Sequence, residues 1–222
     1  PEIEKRRGYD LGFITHYIIE KKLKPLQFYE IDGEEISDSL DFGGIGKSLN
    51  VNFCIKLNSH KESNESNFSP KILAYDIETD EFKIGEGEII MLSLFTNNFK
   101  KVITFKKTNE KPEYVEYVKD EKALLEKFIE YVRKISPDFL VGYFSDGFDL
   151  PYLKARAEKH KVKLSLGLDD SQPRFYKGVM TTGRIFGIVH VDLLKFIQTA
   201  YSQYMQSETL SLNEVSKEFL GD

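Results

Sequence analysis

The segment KILAYDIETD, residues 71–80, carries two carboxylates directly after an apolar run. The apolar run predicts a buried strand, and the side chains of a strand alternate between its two faces. Asp76 and Glu78 therefore leave the strand on the same face, at backbone positions about 6.6 Å apart. Two such carboxylates repel each other unless cations lie between them. The segment is thus either one side of a metal site or the start of a solvated turn that continues through Thr79 and Asp80.

Two further apolar strands follow, over residues 88–95 and 101–105. The short polar connection Asn97-Asn98 between them indicates a tight turn. Three consecutive strands with short connections predict an antiparallel meander at one side of a sheet.

The chain then alternates helix, strand and helix. Apolar residues at helical spacing predict a helix over residues 120–135, ended by Ser136-Pro137. A short apolar strand is predicted at residues 139–143 and a further helix at residues 150–161, with Pro151 in its first turn. This order predicts an α/β domain in which the 139–143 strand runs parallel to the strand that ends at Asp76.

Asp149 lies between that strand and the helix that follows it. A carboxylate at the start of a helix is stabilised by the unpaired amides and the helix dipole, so a capping role is one hypothesis. If the two strands are parallel neighbours, Asp149 emerges at the same edge of the sheet as Asp76 and Glu78. The second hypothesis is that the three carboxylates share one pocket.

The residues before the strand that leads to Asp76 are expected to form a smaller α+β segment. A short amphipathic helix is predicted within residues 9–23, two extended pieces within residues 27–35 around an Asp32-Gly33 hairpin turn, and a strand over residues 50–57. Residues 58–69 are polar and lack periodicity, which predicts a domain boundary. We therefore expect one domain over residues 1–69 and a second over residues 70–222.

Composition narrows the class of protein. The 222 residues carry a net charge of −5, which argues against tight binding of nucleic acid by a basic surface, although divalent cations can neutralise phosphate at an acidic site. The single cysteine, Cys54, excludes an internal disulfide and is interpreted as an apolar thiol. No secretion signal or membrane-length apolar run is present in the sequence, so a cytoplasmic protein is expected.

Two motifs carry a resemblance to a known family. Residues 71–80, with Asp76-Ile77-Glu78, resemble the first exonuclease motif of family B DNA polymerases, and residues 141–153, with Phe148-Asp149, resemble the second. Their spacing, the helix between them and residues 183–196 are similar to the 3′–5′ proofreading domain of this family, especially its archaeal members. Residues 9–26 resemble the end of the family's N-terminal domain.

The resemblance implies a ribonuclease H-like exonuclease fold with a mixed sheet and two-metal hydrolysis of DNA. Asp76, Glu78 and Asp149 are then the catalytic residues and the ligands of two Mg²⁺ or Mn²⁺ ions. Tyr143, Phe144 and Phe148 are expected along the DNA strand. Phe148 would lie near the terminal nucleotide, but a core position is the favoured role for this aromatic residue.

The resemblance also implies partners and a location. The expected partners are a single-stranded DNA 3′ end and the remainder of the polymerase chain or a second subunit. A sliding clamp is a further possible partner, and no membrane is expected. The implied location is the cytoplasm, in association with the nucleoid.

Two departures from the family pattern are expected to matter. Phe144 stands where the family's second motif usually has an asparagine. The third motif, Tyr-x-x-x-Asp, is not found in these residues, since Tyr204 is followed four residues later by Glu208. The sequence therefore fits a fragment of a longer polymerase, one subunit of a split enzyme, or a natural module without this chemistry. A non-catalytic ribonuclease H-like module that binds single-stranded DNA or other polymerase parts is the alternative function.

Three other features are interpreted as structural. Asp192 precedes a predicted helix and is expected to cap it rather than bind metal. His190 is expected to be a core or edge residue rather than a general base. The basic residues that follow the second motif are interpreted as a solvated helix face rather than a phosphate track. They are Lys154, Arg156, Lys159, Lys161 and Lys163.

Overall fold

The structure is a computed structural model, and it describes residues 11–25, 27–36, 48–64, 69–109, 112–176, 181–207 and 209–221. These residues form two compact units. The first contains the described residues before position 48 together with those of 52–69, and the second contains residues 48–51 and the described residues from 70 onward. In the described part of the chain, no helix is long and apolar enough to cross a membrane.

The first unit contains helix α1 (Phe13–Glu20) and the antiparallel strands β1 (Tyr29–Glu35) and β2 (Ile55–Glu62). The predicted hairpin turn at Asp32-Gly33 is wrong, because β1 continues through this position with a bulge. A Cβ atom at Gly33 would lie 2.5 Å from the carbonyl oxygen of Lys56. The glycine is therefore required by the close approach of the neighbouring strand, and not by a turn.

The second unit is built on a six-stranded sheet. Its elements in chain order are β3 (Ile72–Thr79), β4 (Ile89–Thr96), β5 (Phe99–Thr104), β6 (Val115–Tyr117), α2 (Glu121–Ile135), β7 (Phe139–Gly142), α3 (Asp149–Lys159), β8 (Arg174–Tyr176), β9 (Thr182–Arg184), β10 (Val189–Asp192), α4 (Leu193–Ala200) and α5 (Leu212–Leu220). The strand order in the sheet is β10-β7-β3-β4-β5-β6, and β8 and β9 form a separate antiparallel pair.

The sheet is mixed, as predicted. Strands β3, β4 and β5 form the expected antiparallel meander. Strand β7 runs parallel to β3, with Ile72 opposite Phe139 and Ala74 opposite Val141, which confirms the predicted parallel neighbour. The sequence analysis did not identify the edge strands β6 and β10, which are only three and four residues long.

The two faces of the sheet differ. One face packs against α2 and α3 and holds the core, which includes Leu73, Tyr75, Ile77, Leu92, Leu94, Ile103, Leu124, Leu125, Phe128 and Leu153. The other, here called the open face, carries the alternate residues. Asp76 and Glu78 lie on it, directly opposite Ser93 and Met91 of β4. The hydrophobic pattern of β3 thus directs both carboxylates away from the core.

A buried ion cluster joins the two helices to the sheet. Glu121, in the first turn of α2, accepts hydrogen bonds from Nε (2.7 Å) and Nη2 of Arg156 on α3 and from the backbone N–H of Ile89 (2.8 Å). Nε2 of His160 lies 2.6 Å from the same carboxylate. The side chains of Glu121 and Arg156 are 1% and 2% exposed. The interpretation of Arg156 as part of a solvated helix face is therefore wrong.

Candidate active site

Strand pairing explains how Asp149 reaches the edge where Asp76 and Glu78 emerge. The pairing of β7 with β3 covers only residues 72–74 of β3, and β7 ends at Gly142. The backbone N–H of Ile77 lies beyond this pairing and donates to Oδ1 of Asp149 at 3.2 Å. Asp149 is buried at the first position of α3. The structure therefore brings Asp149 against the strand segment between Asp76 and Glu78.

The charges of these residues are coupled. Burial, and then the charge of Asp76, raise the pKa of Asp149 to about 7 from 3.8. Burial, and then the charge of Glu78, raise the pKa of Asp76 above its ordinary value. Each shift has the direction expected for carboxylates that crowd together without a compensating positive charge.

Two buried acids elsewhere in the second unit, Asp146 and Glu121, have pKa values that are lowered and not raised. Burial acts to raise the pKa of Asp146, but His190, the N–H of Gly183 and Lys195 bring it below its ordinary value. Burial likewise acts on Glu121, and its bonds to Arg156 and Ile89 lower its pKa. Among the described residues, Asp76, Glu78 and Asp149 have no Lys, Arg or His nitrogen within 4.0 Å. Within the described residues, the first two acids thus have cationic neighbours, and the three candidate acids have none.

Asp192 fixes the loop that precedes Asp149. Its Oδ1 accepts from the N–H of Phe144 at 3.0 Å, and its Oδ2 accepts from the N–H of Asp146 at 3.0 Å. Oδ1 also accepts from the N–H of Lys195, which confirms Asp192 as the cap of α4. One carboxylate therefore ties the loop between β7 and α3 to the end of β10.

Asp146 is a buried acid beside the candidate site whose pairing the sequence analysis missed. It accepts from the N–H of Gly183 at 2.7 Å and from Nζ of Lys195 at 3.0 Å. Nδ1 of His190 lies 3.2 Å from its Oδ1 and makes no hydrogen bond with any described residue. His190 is buried, as expected of a structural residue, and its Nε2 lies 3.1 Å from the hydroxyl of Tyr75. The partners lie 37 to 49 positions away along the chain, so no local pattern marks this cluster.

The three aromatic residues predicted along DNA have different surroundings. Phe148 is half-buried against the core, and its ring centroid lies 5.3 Å from that of Tyr152. The hydroxyl of Tyr143 donates to the carbonyl oxygen of Leu210. Phe144 is 52% exposed and has a φ of +58°. Of the three, only Phe144 is exposed.

Sequence comparison identifies the family. A family model described as "DNA polymerase family B, exonuclease domain" matches residues 4–215. The chain belongs to this family. Within the family B DNA polymerases, the chain is 39% identical over 196 residues to "DNA polymerase 1" of Pyrococcus abyssi, a match that covers 86% of this chain and 20% of that protein. It is 42% identical over 134 residues to a "DNA polymerase" of Pyrococcus glycovorans, which covers 58% of this chain and 17% of that protein. The chain therefore spans about a fifth of the length of these relatives.

A solved structure confirms the fold. The family B DNA polymerase from the hyperthermophilic archaeon Pyrobaculum calidifontis superposes with a TM-score of 0.70, covering 95% of this chain and 25% of that one at 19% identity. This likeness and the mixed sheet confirm the predicted α/β fold of the ribonuclease H type.

The candidate acids fit divalent cations by their chemistry. Among the described residues, no three His, Cys, Asp or Glu side chains are already arranged as a metal site. Carboxylate oxygens are the ligands that Mg²⁺ and Mn²⁺ prefer, and the mutual repulsion of Asp76, Glu78 and Asp149 is what a cation between them would relieve. Asp76, Glu78 and Asp149 therefore remain the predicted ligands of such ions in this family B chain.

Phe144 provides a stability prediction. Its left-handed backbone costs about 1–2 kcal/mol for a residue other than glycine, and asparagine adopts this conformation more readily. We expect Phe144→Asn, which restores the asparagine of the family B pattern, to stabilise the protein by about 1 kcal/mol, measured by urea unfolding. Phe144→Leu is the matched control because it removes the ring but keeps the strain. Equal stabilities of the two variants would contradict the prediction.

Proposed function

We propose that this chain carries the 3′–5′ proofreading exonuclease region of a family B DNA polymerase. Its reaction is the hydrolysis of the last phosphodiester bond at a DNA 3′ end, with two Mg²⁺ or Mn²⁺ ions. The single observation that supports this proposal most is the contrast in charge pairing among the acids of the second unit. Asp146 and Glu121 have cationic partners, whereas Asp76 and Asp149 have raised pKa values and no such partner among the described residues. A site built this way is suited to bind external cations.

We assign each acid a role. Divalent cations, when bound, supply charge stabilisation at the attacking and leaving oxygens of the phosphodiester. Asp76 is the central ligand in this proposal because its charge couples to both other acids. Glu78 is a second ligand and orients the attacking water. Asp149, held by the N–H of Ile77, completes the set from the start of α3.

The proposal extends to the surroundings of the site. Residues 1–69 are assigned to the C-terminal part of the polymerase N-terminal domain and residues 70–222 to the exonuclease domain. The partners are a single-stranded DNA 3′ end and the remainder of a polymerase, in the same chain or in a second subunit. A sliding clamp would join through that remainder, and the complex would work at the DNA of the cytoplasm.

The test is release of label from 3′-labelled single-stranded DNA with Mg²⁺ or Mn²⁺. We expect this chain alone to show weak or no release. Where release is measurable, Asp76→Ala should lower the rate by about two orders of magnitude, because it removes a group that holds charge-stabilising cations. Glu126→Ala, at an exposed acid of α2, is the matched control and should leave the rate unchanged. Release that persists in Asp76→Ala would contradict the proposal.

A second function is favoured by two observations. The exposed Phe144 replaces the expected asparagine, and the described residues contain no preformed group of three metal-binding side chains. Both fit a ribonuclease H-like module that binds single-stranded DNA or other polymerase parts without cutting DNA. DNA binding that is unaffected by divalent cations and by Asp76→Ala would favour this second function over hydrolysis.

A further inference from the structure

A cavity of about 470 Å³ opens on the same face of the sheet as the candidate acids. Its floor comes from three neighbouring strands: Met91 of β4, Val102 and Thr104 of β5, and Val115 and Tyr117 of β6. These are alternate residues in each strand, so they share one face. They are also the cross-strand partners of one another, in the order Met91, Thr104 and Tyr117.

The strand register links the cavity to the acids. Glu78 lies directly opposite Met91, so Glu78, Met91, Thr104 and Tyr117 form one row across the open face. Neighbouring strands are about 4.8 Å apart, which puts the cavity floor between about 5 and 14 Å from Glu78. A stacked nucleic acid strand rises about 3.4 Å per nucleotide, so this span corresponds to about two to four nucleotides.

The lining has the chemistry of a base-stacking site. The floor is mainly apolar, and Tyr114, which is 41% exposed, stands at its edge. The hydroxyls of Tyr117 and Thr108 lie 2.7 Å apart at the same edge. Aromatic rings beside an apolar floor accept any base, because every base has a flat π-face.

Two lysines border the cavity, and their positive charge is complementary to a phosphate backbone. Nζ of Lys100 lies 5.2 Å from the centroid of the Tyr114 ring. Nζ of Lys106, which lines the cavity, lies 4.7 Å from the centroid of the Phe105 ring. A lysine beside an exposed aromatic ring, as Lys100 is beside Tyr114, is typical of surfaces that follow single strands. Lys106 is paired with Glu88 at 3.8 Å, so the positive charge beside this cavity comes mainly from Lys100.

We propose that the cavity receives a nucleobase of the DNA strand whose 3′ end lies at Asp76 and Glu78. This inference rests on the proposed function, since it takes the 3′ end to be at the acids. The bound base lies about two to four nucleotides before the 3′ end, and Lys100 faces the backbone phosphate beside it. The site holds the strand in place and does not select a sequence.

The test measures binding of oligothymidylates of two to eight nucleotides to the whole chain. Each oligonucleotide competes with a labelled eight-nucleotide strand in a buffer that contains Ca²⁺. The length of each oligonucleotide is checked after the titration. We expect Tyr114→Ala to weaken binding of the six- and eight-nucleotide strands about tenfold and to change binding of the dinucleotide less than twofold. Val102→Phe, which fills the cavity from its floor, should have the same effect. Tyr176→Ala is the matched control, because Tyr176 is also exposed and has the guanidinium of Arg184 4.8 Å from its ring.

The outcomes separate this inference from the proposed function. If the unchanged chain binds no single strand, the proposed function and the cavity assignment both fail. If it binds and both cavity variants bind all lengths as the unchanged chain does, only the cavity assignment fails. An equal loss at every length, the dinucleotide included, also overturns the assignment, because a dinucleotide with its 3′ end at the acids does not reach the cavity.

Discussion

Replacing Arg156 with methionine should lower the free energy of unfolding by about 3–5 kcal/mol. The guanidinium bonds the Glu121 carboxylate through two nitrogens, and both side chains are almost fully buried. Methionine fills a similar volume but leaves Glu121 as a buried charge with only His160 and the N–H of Ile89 as partners. The cost comes mainly from that unpaired carboxylate and less from the lost ion pair. Urea unfolding at neutral pH measures it.

Two comparisons make this prediction specific. Arg133→Met removes an exposed pair with Asp170 and should cost less than about 1 kcal/mol. The double variant Glu121→Gln with Arg156→Met should recover much of the loss, because glutamine is uncharged and still accepts from the N–H of Ile89. A cost for Arg156→Met no larger than that for Arg133→Met would show that the cluster does not hold the helices to the sheet.

The second large effect concerns Asp149 in metal-free protein. The pKa of its carboxyl is raised to about 7 in the folded state from an ordinary value of 3.8. Between about pH 4 and pH 7 the folded protein therefore holds a proton that the unfolded chain has lost. The stability from this proton is present below the unfolded pKa and is lost as pH rises through the folded pKa. Metal-free protein should become less stable over this interval as the pH rises.

Asp149→Asn should remove this loss. At pH 7 we expect the variant to exceed the unchanged metal-free protein by up to about 4 kcal/mol, since each pKa unit corresponds to about 1.4 kcal/mol. The asparagine oxygen can still accept from the N–H of Ile77. Asp146→Asn is the matched control with the opposite sign, because that acid has cationic partners and a lowered pKa. Thermal unfolding in EDTA across this pH range measures both, and a less stable Asp149→Asn variant would contradict the prediction.

Local sequence patterns predicted most of the fold around the site. The apolar run before Asp76 and the helical spacing of residues 120–135 matched β3 and α2 closely. The parallel pairing of β7 followed from the order of the elements. These features depend on periodicity and connection length, which a single sequence contains.

The errors occurred where distant residues decide the structure. Asp32-Gly33 has the composition of a turn, but the position of Lys56 on the partner strand makes it a bulge. Arg156 looks like one of several solvated basic residues, and only Glu121, 35 positions earlier, explains its burial. Asp146 was missed for the same reason. Charge pairing between distant segments has no local periodicity, so the sequence pattern could not reveal it.

The central claim is that Asp76, Glu78 and Asp149 form one cation-binding site, and titration with Mn²⁺, followed by its electron paramagnetic resonance signal, tests it most directly. We expect the chain to bind Mn²⁺, Asp76→Ala and Asp149→Asn each to weaken binding at least tenfold, and Glu126→Ala to bind as the unchanged chain does. A shared site requires that the substitution on β3 and the substitution at the start of α3 both weaken Mn²⁺ binding. Mn²⁺ binding that is absent from the unchanged chain, or equal in all four proteins, would contradict the account.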